Sequence, residues 1–351
     1  MPAHRFVLLL AGLAVSVISH PRGQAARDVA PTTDLGITRV DGIKVGQLTL
    51  DTRPTGCTVV LAPPNTVGAV DVRGGAPATV ETDLLRPDEL VATIHAVVIA
   101  GGSAFGLDTR SGVMKYLEEH KIGYAFGGAF VPIVSGAAIF DLRVGDNPAI
   151  RPNADCGYEA AARATVGRVS EGSVGAGAGA TIGKFGEPNR AMKGGVGTSS
   201  IAMADGLIVG TIVVVNASGS IVDPHTGKAV AGVRGSDGKS LEDPFALLRR
   251  GVAPTGTGEN TTIGIVATNA RLSKAQAQRV AAMAHDGFAR TIVPSHTMSD
   301  GDTIFTLATG QVDGDVNRVG VLAAEAMSDA ILRAVRAAKG LPGYPGVADV
   351  K

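Results

Sequence analysis

The stretch Glu259-Asn260-Thr261-Thr262-Ile263-Gly264-Ile265-Val266-Ala267-Thr268-Asn269 carries a glycine-rich loop straight into an apolar, β-branched strand that begins at Thr261. Hydrolysis of the Asn260–Thr261 bond would free an α-amino group on a residue that also bears a hydroxyl, so one residue would hold both nucleophile and general base. An α-amine titrates at about 7.7–8, which suits proton abstraction near neutral pH. Read by itself, Asn-Thr-Thr after Gly-Thr-Gly-Glu is also an ordinary entry from loop to strand, so other polar residues have to carry the chemistry. Lys184 closes a glycine-rich stretch, Asn216 ends the run Thr211-Ile212-Val213-Val214-Val215, and Asp300 and Asp302 precede a strand at Thr303. An Asn donor at a strand end suits a developing oxyanion, and a lysine can hold a proton or polarise a carbonyl. Taken singly, each also reads as a solvated loop residue.

Strands and helices interleave around these positions with no linker long enough to mark a domain boundary, which predicts one α/β domain without internal repeats. Gly42–Leu50 and Thr55–Ala62 alternate like two strands joined by a polar turn, and His95–Ala100 is a third apolar run. The glycine-rich turn 101–106 follows it, and then apolar spacing that is helical over Leu107–Leu117. A second helix is expected over Gly157–Val166, and a strand pair over Ile201–Val215 broken at Ala204-Asp205-Gly206. Ser218-Gly219 turns into Ile221-Val222. Ser273 reads as the N-cap of a helix Lys274–Arg290 with Val280, Met283 and Ala284 on one face. Thr303–Leu307 is strand-like, and Gly320–Ala338 is an alanine-rich helix.

Familiar signatures fail on their details. Gly177–Lys184 looks like a phosphate loop, but Ala178 stands where the first glycine belongs and Phe185 replaces the magnesium-binding hydroxyl. Gly102-Ser103-Ala104-Phe105-Gly106 misses the spacing of a nucleophile elbow by one residue, and Ser236-Asp237-Gly238-Lys239 lies in a charged turn. No zinc constellation is present. His296, Asp300 and Asp302 could hold a divalent ion, yet two Asp around Gly301 read better as a turn whose carboxylates accept hydrogen bonds.

Composition narrows the function classes. The 351 residues are 45% hydrophobic and 18% charged, with 32 basic and 32 acidic side chains, so no global field recruits nucleic acid or an anionic membrane. With 48 glycines, 4% aromatics and no Trp, the core should be Val, Ile, Ala and Leu. His4 and Arg5 precede the apolar run Phe6–Ile18, and Gly23-Gln24-Ala25-Ala26 offers small residues for cleavage, so residues 1–26 read as an export signal. An uncleaved anchor competes with that reading, but the run is shorter than the ~20 residues a span needs. The mature protein is expected to be soluble, and periplasmic or secreted. Cys57 and Cys156 could pair in such a compartment, but their separation carries no framework signal and Cys57 lies in an apolar run, so they read as buried free thiols.

Segments through nearly the whole mature chain resemble the P1 family of self-processing aminopeptidases, peptidase family S58. The resemblance rests on Thr55-Gly56-Cys57-Thr58-Val59-Val60, Asp71-Val72-Arg73-Gly74-Gly75, Ala100–Leu107, Gly175–Lys184, Val215-Asn216, Asn260-Thr261-Thr262, and His296 through Asp300-Gly301-Asp302-Thr303. That family includes the L-aminopeptidase/D-esterases, the β-peptidyl aminopeptidases and the nylon-oligomer endoamidases. The resemblance implies an αββα sandwich, a precursor cut into chains 27–260 and 261–351, and tetramers of the processed units. It makes Thr261 the nucleophile with its new amine as base, Asn216 the oxyanion-side Asn, Lys184 the active-site lysine, and Asp300 and Asp302 the acidic pair beside the nucleophile. It implies an acyl-enzyme route to hydrolysis of small peptides, amides or esters without cofactor or metal. Thr at the nucleophile and Asn before it look like the endoamidase branch, whereas Gly-Gly-Ser-Ala-Phe-Gly-Leu-Asp looks like the general aminopeptidase branch. An aminopeptidase is the leading expectation; an endo-acting amidase on oligomeric amides and a non-catalytic exported binding protein are the alternatives.

Overall fold

Alternation along the strands decides which layer each side chain enters. In the strand Thr261–Arg271, Ile263, Ile265 and Ala267 belong to one buried cluster and Val266 and Ala270 to another. The same split occurs in Ile208–Asn216, with Ile212 and Val214 on one side and Val213 and Val215 on the other. A strand buried on both faces needs a layer on each side.

The computed structural model describes Met1 and residues 35–252 and 258–350, and supplies those layers as two five-stranded sheets and two helix pairs. The first sheet runs Lys44–Thr49, Gly56–Leu61, Ala96–Ala100, Val134–Ala138, Thr79–Val80. The second runs Gly195–Ala202, Ile208–Asn216, Thr261–Arg271, Thr303–Asp313, Val67–Val72. Between the sheets, Val60, Val97 and Ile99 meet Val214, Ile265 and Phe305. Outside the first sheet, Val59 and Val98 pack with Val113, Leu117 and Ala160 of the helices Thr109–Glu119 and Ala154–Ala162. Outside the second, Val213 and Val266 pack with Val280, Phe288, Met327 and Ile331 of Lys274–Thr291 and Val316–Ala337. The architecture is the expected αββα sandwich.

Local signals held best where a cap fixed them. Ser273 caps Lys274–Thr291 as expected, and Gln276 reciprocates to complete a capping box, a feature worth about 1 kcal/mol. The expected helix Gly157–Val166 instead spans Ala154–Ala162, because the Asn153 side chain accepts the Cys156 N–H at its start and Thr165 exchanges backbone hydrogen bonds with Val45 after its end. The expected helix Gly320–Ala338 starts earlier, at Val316, with Asp315 accepting the Arg318 N–H. The segment Leu107–Leu117 is α-helical only from Thr109, after a 3-10 turn over Ser103–Asp108.

The expectation of free thiols is corrected. Cys57 and Cys156 are bonded, with Cα atoms 6.3 Å apart across 99 residues of sequence. Cys57 sits on the outward face of a central strand and Cys156 on the helix packed over it, in one buried cluster. Their meeting depends on how that helix docks, which sequence separation does not record. Closing so long a loop constrains the unfolded chain by about 4–5 kcal/mol on the chain-entropy account. The expected export signal, residues 1–26, lies outside the described residues apart from Met1, and among the described residues no helix is long and apolar enough to cross a membrane.

Candidate active site

Strand order alone brings four of the expected residues to one end of the second sheet. Thr261 opens its strand, and Asn216, the last residue of the antiparallel neighbour, is its register partner. On the other side the parallel neighbour begins at Thr303, opposite Ile263, so Asp300 and Asp302 arrive at the same end. Alternation places both Thr261 and Asn216 on the face between the two sheets. Lys184 joins them because its backbone N–H donates to the Ser218 carbonyl (2.8 Å), just past Asn216.

The bond between Asn260 and Thr261 is intact and closely held. The Thr261 hydroxyl donates to the Asn260 carbonyl oxygen at 2.6 Å, and the Gly301 N–H donates to the same oxygen at 2.7 Å. The preceding carbonyl, of Glu259, accepts from Lys184 Nζ at 3.2 Å and from Asn216 Nδ2 at 3.4 Å. Asn216 Oδ1 accepts from Lys184 Nζ (2.9 Å) and the Thr181 N–H (3.0 Å), which fixes Nδ2 as the donor toward the Glu259 and Phe140 carbonyls. In the uncut chain, Asn216 and Lys184 thus grip the carbonyl one residue before the bond that Thr261 faces, while Gly301 grips the carbonyl of that bond.

Sequence reasoning read Gly301 as the middle of a turn and missed this role. A Cβ at Gly301 would lie 2.7 Å from Thr261 Oγ1 and 2.9 Å from the Ala76 carbonyl oxygen, so only glycine lets the amide approach. The two Asp frame that amide rather than touching the hydroxyl. Asp302 accepts from the Thr262 N–H (2.8 Å) through one oxygen and from the His296 N–H (3.0 Å) and Nδ1 (2.9 Å) through the other. Asp300 accepts from the Thr297 N–H (2.8 Å) and hydroxyl (2.6 Å) and from the Ser218 hydroxyl (3.2 Å). Burial and the neighbouring Asp302 push the Asp300 carboxyl above its ordinary range. Among the described residues, no cluster of His, Cys, Asp and Glu is arranged to hold a metal.

Two further buried groups escaped the sequence reading. Lys193 is fully buried, and its Nζ donates to the carbonyls of Gly177, Ala180 and Gly194 at 2.8, 2.8 and 2.9 Å. Burial pushes it down to about 7, and the three carbonyls tie it to one stretch of backbone. It therefore pins the glycine-rich segment that presents Thr181 to Asn216. Asp141 pairs with Arg53 at 3.1 Å and accepts from the Thr55 hydroxyl (2.5 Å) and the Gly102 N–H (2.9 Å). A Cβ at Gly101 would fall 2.2 Å from that carboxylate, so the Gly-Gly-Ser-Ala-Phe-Gly segment is a seat for Asp141 and not a nucleophile elbow.

Burial pushes Lys184 down to about 7, against the opposing pull of Asp300, Glu259 and Asp141. Between pH 7 and 10.5 the unfolded chain holds a proton here that the folded chain has released, so Lys184 makes the fold more stable as pH rises through that window; below pH 7 its burial cost is fully present. In uncut protein carrying Thr261→Ala, adding Lys184→Met is expected to remove roughly 1–2 kcal/mol of the stability gained between pH 7 and 9. Urea midpoints at the two pH values measure it, and equal gains with and without Lys184 would contradict the assignment.

The layered fold is that of hydrolases with an N-terminal nucleophile. Solved structures show the likeness: the L-aminopeptidase D-Ala-esterase/amidase of Ochrobactrum anthropi, described as a variant of the Ntn hydrolase fold, superposes with a TM-score of 0.66 at 19% identity, covering 88% of this chain and 89% of that one. A β-aminopeptidase of Burkholderia sp. gives 0.63 at 24% identity, covering 88% of each chain. Residues 36–348 match peptidase family S58, and the chain belongs to that family. It is 45% identical over 345 residues to an uncharacterized aminopeptidase of Mycobacterium tuberculosis, covering 90% of this chain and 97% of the relative. It is 32% identical over 337 residues to a 6-aminohexanoate-oligomer endohydrolase of Kocuria sp., covering 90% and 91%. The protein is a hydrolase of peptide or amide bonds.

Proposed function

We propose that the protein is an exported, self-processing N-terminal threonine hydrolase in which Thr261 first cuts the chain and then turns over small peptides, amides or esters. The observation that carries this reading is the Thr261 hydroxyl 2.6 Å from the Asn260 carbonyl oxygen, with the Gly301 N–H at 2.7 Å on the same oxygen. Oγ attacks the Asn260 carbonyl carbon, and the Gly301 amide stabilises the oxyanion. The C–N bond breaks as the departing nitrogen gains a proton, leaving an ester from Asn260 to Thr261 Oγ and a free α-amine. Water hydrolyses the ester, giving chains 27–260 and 261–351. The amine then serves as base when Oγ attacks a substrate carbonyl, and a second hydrolysis releases the acyl group. Asn216 and Lys184, which grip the Glu259 carbonyl before the cut, would turn the same donors to the acyl part of a substrate afterwards. Asp300 and Asp302 hold the Gly301 amide in place, and no cofactor or metal takes part.

Export is supported by the leader-like residues 1–26 and by the buried Cys57–Cys156 bond, which suits an oxidising compartment. Assembly of processed units into a tetramer follows from the family resemblance. Intact mass spectrometry of the purified protein tests the reading: two masses are expected, breaking at Asn260–Thr261 and together exceeding the leaderless precursor by one water. A single mass that persists on prolonged incubation overturns self-processing.

A further inference from the structure

Glu259 and Asn260 lie on the acyl side of the bond that Thr261 faces, so the uncut chain is the first occupant of its own substrate site. The two residues are held very differently. Asn260 is fully buried, and neither polar atom of its side chain has a hydrogen-bond partner among the described residues. Glu259 is gripped at both ends: its carbonyl by Lys184 and Asn216, and its carboxylate by the Arg143 guanidinium at 2.5 Å. Side-chain recognition is therefore concentrated on the second residue from the scissile carbonyl, while the side chain of the first is only accommodated.

The surroundings give that second position a sign. A cavity of about 50 Å3 beside it is lined by Phe140, Arg143, Lys184, Glu259 and Tyr344 among others, and among the described residues its only other acid is Asp141. Asp141 is committed to Arg53, Thr55 and Gly102. When the new C-terminus at Asn260 withdraws, Arg143 loses its partner and no uncommitted carboxylate of the cavity balances it. Arg143 and Tyr344 also border a wider groove of about 660 Å3 between the Thr49–Pro54 turn and Leu341–Pro342, whose own acids are Asp51 and Asp146. That volume is the size of a ligand site.

Resting on the assignment of Thr261 as nucleophile, we infer that the acyl side of the site accepts chains of at least two residues and that Arg143 selects a carboxylate on the second. A guanidinium matches a carboxylate in geometry as well as charge. Arg143 is 64% exposed at its side chain, so the selection is moderate: a surface pair contributes up to about 1 kcal/mol, or roughly fivefold.

The test compares acetyl-Glu-Asn, acetyl-Gln-Asn and acetyl-Lys-Asn p-nitroanilides, with the free-amine Asn p-nitroanilide, on self-processed protein. Glu is expected to exceed Gln about fivefold in kcat/KM and to exceed Lys by more, with Arg143→Ala levelling the three and Arg143→Glu reversing them. Each variant is first checked for two masses. Should Arg143→Glu fail to mature, the exchange Arg143→Glu with Glu259→Arg restores the pair for processing and still reverses the preference. Equal rates for the three acetylated substrates, hydrolysis of the free-amine compound alone, or an unchanged preference in the variants overturns the subsite while leaving Thr261 as nucleophile. Processed protein that hydrolyses none of the four, nor any aminoacyl ester, overturns both.

Discussion

Thr261→Ala is expected to leave the chain uncut and to lower hydrolysis of aminoacyl amides by about 10^4-fold or more, since removing a nucleophile eliminates the covalent route. The fold should survive. Among the described residues the lost hydroxyl bonds only to the adjacent Asn260 carbonyl, which keeps the Gly301 N–H, so the cost should be near the ~1 kcal/mol of an ordinary hydrogen bond. Thr261→Ser retains the attacking oxygen and should still cut. The informative control is Thr262→Ala. Thr262 is the next hydroxyl along, but strand alternation turns it to the opposite face, and its buried Oγ1 has no partner among the described residues. Mass spectrometry of the three variants, with thermal midpoints to confirm folding, decides between them. A cut and active Thr261→Ala protein would remove Thr261 from the mechanism.

The second large effect concerns a residue with no side chain. Gly301→Ala would set a methyl carbon 2.7 Å from Thr261 Oγ1 and 2.9 Å from the Ala76 carbonyl oxygen, both closer than real contacts allow. Either the hydroxyl or the Gly301 amide must move, and the amide is the donor on the Asn260 carbonyl. Loss of one donor to a developing oxyanion typically costs 10^2- to 10^3-fold, so maturation should slow by about that factor. Appearance of the 261–351 chain over time measures it. A variant that matures at the wild-type rate would show that the amide does not stabilise the oxyanion.

Periodicity and caps made much of the architecture legible. Alternation and apolar runs located seven strands of the two five-stranded sheets before any pairing was known, and Ser273 marked its helix start. Thr261 was conspicuous because a hydroxyl residue opens a long apolar strand, and Lys184, Asn216, Asp300 and Asp302 because each stands where an apolar run stops. These are local properties, written in the spacing of polar and apolar residues. The strand Val67–Val72 escaped because its own short run offers little contrast; it is defined by pairing with Thr303–Asp313.

What the sequence by itself determined is therefore most of the elements and the polar residues at their ends. The tertiary structure decided which ends meet. Asn216 faces Thr261 because two antiparallel strands share a register, and the Asp300–Asp302 loop arrives there because its strand runs parallel on the other side. The Cys57–Cys156 bond, the carbonyl cage of Lys193 and the approach of Gly301 arise likewise from contacts between distant segments. Such pairings are selected by burying both faces of two sheets at once, a condition on the whole molecule that no single stretch of sequence encodes.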